Sequence, residues 1–234
     1  MDDESYAKIK NRVRELLWAK TEPFKPLKIH LLETGIVAQE LVMTGCFVPL
    51  EKELERYLDF ERDQVLALVG YIASIHDIGK AFASMQEKAD GTSIAGFIKK
   101  YHLGGEIPAV FRHEIYGAER LKKIWQVQKR FKDSRVCRRF ADIIRLHHQG
   151  KAADKGGSRI QNEDWERIWE ELQEELEQTM WETFRPDDVR PTNLNVVCMI
   201  LLGLVIAADW ISSGETFADL PVSRSKAAVV RGTR

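Results

Sequence analysis

Residues 65–80, with the sequence VLALVGYIASIHDIGK, constrain the fold more than any other stretch of the chain. Apolar residues recur in this stretch at the spacing of one helical face, namely Leu66, Val69, Ile72 and Ala73. The same face extends to His76, which Asp77 follows. A buried imidazole and carboxylate are costly unless each finds a partner, and a divalent transition metal ion binds both. The stretch therefore predicts a core helix that ends at a metal site, although the His-Asp pair alone is equally typical of a helix terminus or a surface pair.

Composition describes an ordinary globular protein with no bulk positive charge. The 234 residues are 44% hydrophobic and 30% charged, with 35 Lys and Arg against 36 Asp and Glu. This balance does not indicate a nucleic-acid partner, but it allows a local basic groove. Cys46, Cys137 and Cys198 are interpreted as reduced core residues. The N-terminus has no apolar signal-peptide core and the longest apolar run, 196–208, is too short to span a bilayer, so we expect a cytoplasmic protein with no membrane partner.

Helical periodicity covers almost the whole chain, and little of the sequence resembles a strand. Besides the core helix that begins at residue 65, the predicted helices span residues 5–20, 27–43, 49–60, 111–128, 136–148, 162–184 and 192–213, with one or two short helices in the glycine-containing stretch 81–108. The acidic helix 162–184 is interpreted as structural, with its glutamates on the exposed face. We expect an all-α domain over residues 1–214, followed by a C-terminal tail or linker stub over 215–234.

Other histidines fall near the ends or on the inner faces of these helices. His30 lies on the apolar stripe of helix 27–43, where a lone histidine is more often a hydrogen-bonded core residue than a ligand. His113 opens a helix. His147 and His148 end another one, where they either point together at one site or merely complement the helix dipole. His102 lies on no apolar face and is predicted to be a surface residue.

Asp209 is the most demanding of the polar candidates. It lies on the inner face of helix 192–213, the most apolar helix of the chain, which contains no lysine or arginine. A buried carboxylate without a partner is strongly unfavourable, so Asp209 requires a cation or hydrogen-bond donors from elsewhere. One metal centre would satisfy this carboxylate together with the other inward-facing candidates: His30, His76, Asp77, His113, His147 and His148. Seven ligands exceed the needs of one ion, and two ions bridged by Asp77 fit better.

The ordered pattern H…HD…H…HH…D, with the blocks WAK, LKIHLLETG, HDIGK, FRHE, HHQGK and ADWISS, resembles the HD superfamily of metal-dependent phosphohydrolases. More narrowly, it is similar to the HD nuclease domain of the CRISPR-associated type I helicase–nuclease. The resemblance implies an HD-domain helical bundle with a dinuclear metal site. It assigns His30, His76 and Asp209 to one metal, His113, His147 and His148 to the other, and Asp77 to both. Lys80 matches the lysine of the HD-x-x-K element, whose expected role is to neutralise phosphate charge.

The resemblance also implies a reaction and its partners. We expect a nuclease that cleaves single-stranded DNA by two-metal activation of water, with Mn, Fe, Co, Ni or Zn as the divalent ions. The chain has no P-loop motif, so a helicase domain or subunit and a CRISPR surveillance complex would act in trans. Two alternatives stay open: an HD enzyme that hydrolyses nucleotides or cyclic nucleotides, and a non-catalytic docking module that uses metal as a structural staple.

Overall fold

The computed structural model describes residues 2–44, 47–89, 91–103, 112–148 and 163–214, and all of them belong to one predominantly helical body. Within these ranges the elements are α1 (Asp3–Leu16), β1 (Trp18–Thr21), β2 (Phe24–Pro26), α2 (Leu27–Met43), α3 (Val48–Leu58), α4 (Arg62–Ser74), α5 (Ala83–Gln86), α6 (Ser93–Tyr101), α7 (His113–Gln128), α8 (Ser134–Leu146), α9 (Glu163–Phe184) and α10 (Leu194–Ser213). A 3₁₀ turn, Ile78–Lys80, follows α4. The predicted all-α fold class is confirmed.

The prediction that the first helix reaches Lys20 is wrong. Helix α1 ends at Leu16, and residues Trp18–Thr21 instead pair antiparallel with Phe24–Pro26 in a small hairpin. The side-chain amide of Gln86 accepts from the Trp18 backbone N–H (3.1 Å) and donates to its carbonyl (3.0 Å). These two bonds pair the backbone N–H and C=O groups of Trp18, as a neighbouring strand would in a sheet. Because Gln86 is far away in sequence, helical periodicity alone did not reveal this pairing.

Helices α2 and α4 pack closely at two glycines, and this contact brings His30 towards the end of α4. A Cβ placed on Gly35 would lie 2.7 Å from the carbonyl oxygen of Gly70, and one placed on Gly70 would also collide with the ring of Phe184. Phe184, at the end of α9, fills the space beside the two glycines. A side chain larger than hydrogen at Gly35 would force the two helices apart, and one at Gly70 would displace the ring of Phe184.

A second pair of glycines joins the 3₁₀ turn to α7. A Cβ on Gly79 would collide with the carbonyl oxygen of His113 and lie 2.8 Å from the Gly117 nitrogen, while one on Gly117 would lie 2.9 Å from the Gly79 nitrogen. The structure shows that both glycines serve backbone-to-backbone packing. This contact holds the first turn of α7 against Asp77.

Helix α10 is longer than the apolar run seen in the sequence. Its 20 residues are long and apolar enough to cross a membrane by length and composition, a test that the core helix of a bundle also passes, whereas the prediction concerned only the shorter run 196–208. The helix packs against α2, α8 and α4, and its inner face includes Val197, Leu201, Leu204 and Asp209. These contacts make α10 a central helix of the bundle.

Two smaller expectations have different outcomes. Glu177 of α9 is fully buried, contrary to the predicted exposure of the glutamates of this helix. It accepts hydrogen bonds from the Tyr71 hydroxyl (2.6 Å) and the Arg130 guanidinium (2.9 and 3.1 Å), which compensate its burial. Cys137 and Cys198 are buried free thiols, as predicted. Cys46, Gly150 and the predicted tail 215–234 lie outside the described residues.

Candidate metal centre

The helix that dominates the sequence delivers His76 and Asp77 to the centre of the molecule. Helix α4 ends at Ser74, and His76 and Asp77 are 0% and 1% exposed. The His76 Nδ1 lies 2.8 Å from the carbonyl oxygen of Ala73, which can only accept, so Nδ1 carries the proton. Nε2 is therefore the ring nitrogen directed into the cluster, and in the neutral ring it carries the lone pair with which histidine binds metals.

Four side chains form an inner group on this side of the cluster: His30, His76, Asp77 and Asp209. All four are buried. Each imidazole Nε2 contacts both carboxylates, with distances of 3.3 and 3.4 Å for His30 and of 3.4 and 3.3 Å for His76. Two donors that each lie about 2.1 Å from one tetrahedral ion are about 3.4 Å apart. The spacing of the inner group is therefore that of ligands around a single ion.

Four side chains form an outer group that shares Asp77: Asp77, His113, His147 and His148. Asp77 Oδ1 lies 2.9 Å from Nε2 of His113 and 3.5 Å from Nε2 of His147. The Nε2 atoms of His113 and His148 are 3.1 Å apart, a separation that needs a proton or a cation between two nitrogen lone pairs. His148 is exposed, so the cluster opens to solvent on this side.

The elements explain why these histidines converge. The Gly79–Gly117 contact fixes His113 at the start of α7. Helix α8 ends at Leu146, so His147 and His148 lie where the chain leaves the helix and their rings can share one site. His147 repeats the arrangement of His76: its Nδ1 donates to the carbonyl of Ile144 at 2.6 Å, which leaves Nε2 free.

Asp77 lies between the two groups with a different oxygen towards each. Its Oδ2 faces His30 and His76, and its Oδ1 faces His113 and His147. The Lys80 ammonium lies 2.5 Å from Oδ2 and also donates to the carbonyl of Ala19 at 3.4 Å. Asp77 therefore forms ion pairs at short distance, but neither of its oxygens receives a hydrogen bond of normal alignment within the described part of the chain.

The cluster concentrates buried polar atoms that lack hydrogen-bond partners among the described residues. They are Nδ1 and Nε2 of His30, Nε2 of His76, both carboxylate oxygens of Asp77, and Nε2 of His147. Leaving so many donors and acceptors unsatisfied in one place would be strongly destabilising. Divalent ions would satisfy all of these atoms except the His30 Nδ1, so the residues present fit a metal centre.

The electrostatics of the inner group favour a cation. Burial opposes protonation of His76, but the neighbouring Asp77 and Asp209 carboxylates outweigh it and raise the pKa of His76 to about 10. Burial likewise opposes ionisation of Asp77, yet Lys80, His76 and His113 hold its pKa well below the usual range. The pKa of Asp209 is also lowered against the effect of burial, chiefly by His76 and His30. The protein thus keeps two ionised carboxylates in its core and attracts positive charge to them.

In the outer group the surroundings disfavour a positive charge on a histidine, in contrast to the inner group. Partial desolvation of the ring and the neighbouring His147 and His113 lower the pKa of His148 to about 4. His148 is therefore neutral at physiological pH, with a ring nitrogen available to a metal ion.

The structure brings together all seven predicted ligands, and Lys80 with them. The metal-binding role of each residue stays a prediction. His102, the remaining histidine, is exposed at the end of α6, in agreement with its predicted surface position. Sequence reasoning missed the buried Lys25 and Glu33, which pair beside the inner group at 2.8 Å. No periodic signal marks such a pair, because its partners lie on different elements.

Solved structures share this fold. The structure of T. fusca Cas3 matches with a TM-score of 0.70 and 19% identity, over 92% of this chain and 25% of that one. A structure described as a CRISPR-associated protein matches with a TM-score of 0.74 and 21% identity, over 96% and 27%. The Thermus thermophilus cas3 HD domain in the presence of Ni²⁺ matches with a TM-score of 0.63 and 18% identity, over 94% and 86%. The chain thus spans about a quarter of the first two structures and most of the isolated domain.

The helical bundle and its histidine–aspartate cluster define an HD domain. A comparison with curated protein sequences found no match. The family profile described as "Cas3, HD domain" matches residues 18–218, which include every residue of the cluster. The chain belongs to the family of Cas3 HD nuclease domains.

Proposed function

We propose that the chain is a two-metal nuclease that hydrolyses phosphodiester bonds of single-stranded DNA in CRISPR interference. The observation that carries this proposal is the position of Asp77, whose two oxygens face two separate sets of histidines. The inner group would hold one ion and the outer group the other. Imidazole-rich sets of this kind favour Mn, Fe, Co, Ni or Zn over Ca and Mg.

When bound, such ions act as Lewis acids towards water and phosphate oxygens. The side chains of this protein have distinct tasks around them. His76 and His147 donate their Nδ1 protons to backbone carbonyls and so keep Nε2 aimed at the centre. Lys80, beside Asp77, supplies a positive charge that offsets negative charge on the phosphate group. The exposed His148 marks the side from which a phosphodiester reaches the cluster.

The partners of this reaction are proposed from the family. One matched structure is a CRISPR RNA-guided surveillance complex described as pre-nicking, in which the matched region is 27% of the chain. The chain has no P-loop, so a helicase domain or subunit would supply unwound DNA. Lys and Arg nearly equal Asp and Glu in number, which supports modest intrinsic DNA affinity and delivery of the strand by the surveillance complex.

Cleavage by metal-loaded protein tests the proposal. The metal-free chain is loaded with Mn²⁺ and incubated with linear and circular single-stranded DNA, and in parallel with a panel of nucleotides and cyclic nucleotides. We expect DNA cleavage, lost in Asp77→Ala and retained in His102→Ala, the matched histidine variant outside the cluster. Cutting of the circular substrate would indicate an endonuclease. Hydrolysis confined to the nucleotide panel, or undiminished DNA cutting by Asp77→Ala, would contradict the proposal.

A further inference from the structure

A buried chain of hydrogen bonds joins α2 to α10 behind the inner group. The Thr34 hydroxyl donates to the carbonyl of His30 (2.9 Å) and lies 2.8 Å from the Ser212 hydroxyl. The Ser212 hydroxyl in turn lies 3.2 Å from the carbonyl of Asp209. Both hydroxyl groups are fully buried. The two hydroxyl protons can occupy only two of these three contacts at one time, and together the contacts link the backbones of both metal-ligand candidates in one shared network.

A buried ion pair extends this network to the hairpin. The Lys25 ammonium lies 2.8 Å from a Glu33 carboxylate oxygen and 2.9 Å from the Ser212 carbonyl. Lys25 and Glu33 are 5% and 6% exposed. Carbonyls in the last turn of a helix have no partner within the helix, and a cation there also complements the helix dipole. Lys20 donates to the next carbonyl, that of Ser213, so the hairpin caps the end of α10 with two ammonium groups.

This set of four side chains is called the α2–α10 clamp: Lys25, Glu33, Thr34 and Ser212. We propose that the clamp positions His30 and Asp209 for metal binding in the inner group. His30 lies one turn before Thr34 on α2, and Asp209 lies in the last turn of α10, the part of a helix that frays most readily. Their donor atoms are 3.4 Å apart across the two helices. Fixing both backbones to one network preserves this separation.

The inference rests on the proposed metal centre and is tested on metal binding itself. The double variant Lys25→Met/Glu33→Leu removes the pair without leaving a buried charge, so it keeps the fold stable. The metal-free variant is titrated with Co²⁺, and both the number of ions bound and the visible absorption spectrum are measured. We expect one of two binding steps to weaken by about 10- to 100-fold, with an altered spectrum, while the other step is unchanged.

A matched control separates positioning from stability. Arg130 and Glu177 form a buried pair of similar burial at 2.9 Å, outside the cluster. The variant Arg130→Met/Glu177→Gln should leave both Co²⁺ binding steps unchanged. Thr34→Val, which lacks the hydroxyl group, should weaken the same Co²⁺ binding step as the double variant. Thr34→Ser, which keeps a hydroxyl group, should bind Co²⁺ as the parent chain does.

The outcomes distinguish this inference from the proposed function. Absence of Co²⁺ binding by the parent chain would overturn both. Two binding steps in the parent that stay unchanged in Lys25→Met/Glu33→Leu and Thr34→Val would overturn the clamp alone. Equal weakening of both steps in the Arg130 control would also overturn it, because the effect would then report general stability.

Discussion

At the scale of single residues, the cluster combines ionised carboxylates with imidazoles in a buried site. Asp77 and Asp209 stay ionised because histidines and Lys80 lower their pKa values against the effect of burial. His148 stays neutral because partial desolvation of the ring and two neighbouring imidazoles lower its pKa to about 4. In metal-free protein the extra proton of His76 supplies part of the positive charge that a metal ion would provide, and this protonation has a measurable dependence on pH.

The stability of metal-free protein should fall as pH rises from about 7 to 10. Burial opposes protonation of His76, but Asp77 and Asp209 raise its pKa to about 10. A raised pKa in the folded state means that the stabilisation is complete below the unfolded value of about 6.5 and is lost as pH approaches 10. Asp77 and Asp209 are ionised throughout this pH range, so they contribute nothing to the change of stability with pH. Thermal unfolding of EDTA-treated protein measures the effect. An identical slope in His76→Gln would contradict it.

Lys80→Ala should reduce the rate of DNA cleavage by about 100-fold without changing the number of bound metal ions. The physical reason is the loss of the positive charge beside Asp77, which in the proposed function offsets negative charge on the phosphate group. Cleavage rates at saturating Mn²⁺, together with metal analysis, check this expectation. Lys52→Ala is the control, because this exposed lysine lies on α3. Loss of bound metal in Lys80→Ala would instead assign the lysine a role in assembling the centre.

At the scale of elements, the cluster is set by how helices end and how closely they approach. The spacing of apolar residues on α2 and α10 predicted that His30 and Asp209 face inward. Apolar residues that recur every 3.6 positions mark the buried face of a helix. Their convergence with His113 was inferred from the polar side chains' shared need for partners. The close approach itself depends on the Gly79–Gly117 contact, whose partners are distant in sequence.

Other features had no signal in the local sequence. The strand at Trp18 is stabilised by Gln86, and the Lys25–Glu33 pair joins the hairpin to α2. The burial of Glu177 depends on Tyr71 and Arg130 from other elements. In each case a partner from another element overrides the preference of the local segment. Periodicity describes one element at a time and does not detect such partners.

Gly79→Ala should destabilise the fold by about 3 kcal/mol or more. The added methyl group meets the backbone of α7 at His113, and backbone cannot move aside as a flexible side chain does. Gly203→Ala is the matched control, since a Cβ there meets nothing within 4 Å, and this exposed helical position should gain up to about 1 kcal/mol. Denaturant unfolding of both metal-free variants measures the free energies. Equal stabilities would contradict the packing of α7 against the 3₁₀ turn.

At the scale of the whole molecule, five separate segments contribute donors to one centre: α2, the turn after α4, α7, the end of α8, and α10. The five segments have this arrangement only in the folded state. Metal ions that bind it therefore bind the folded chain in preference to the unfolded chain, which couples metal binding to global stability. We therefore expect metal bound at this centre to stabilise the whole fold.

Metal binding should raise the unfolding temperature. At a concentration one hundred times the dissociation constant, one bound ion stabilises by about 2.7 kcal/mol, which corresponds to about 5–10 °C for a domain of this size. Thermal unfolding with Mn²⁺ and after chelation measures the difference. Asp77→Ala should lose most of the increase, and His102→Ala should keep it. An unfolding temperature that is independent of metal would contradict a centre assembled from these five segments.

The number of transition-metal ions bound per chain tests the central claim most directly. Metal-free protein is equilibrated with Mn²⁺ or Co²⁺, freed of unbound metal, and analysed for metal against protein concentration. The account predicts two ions per chain, and fewer than one in Asp77→Ala, because this carboxylate belongs to both groups. A parent chain that binds no ion, or a variant that still binds two, would contradict it.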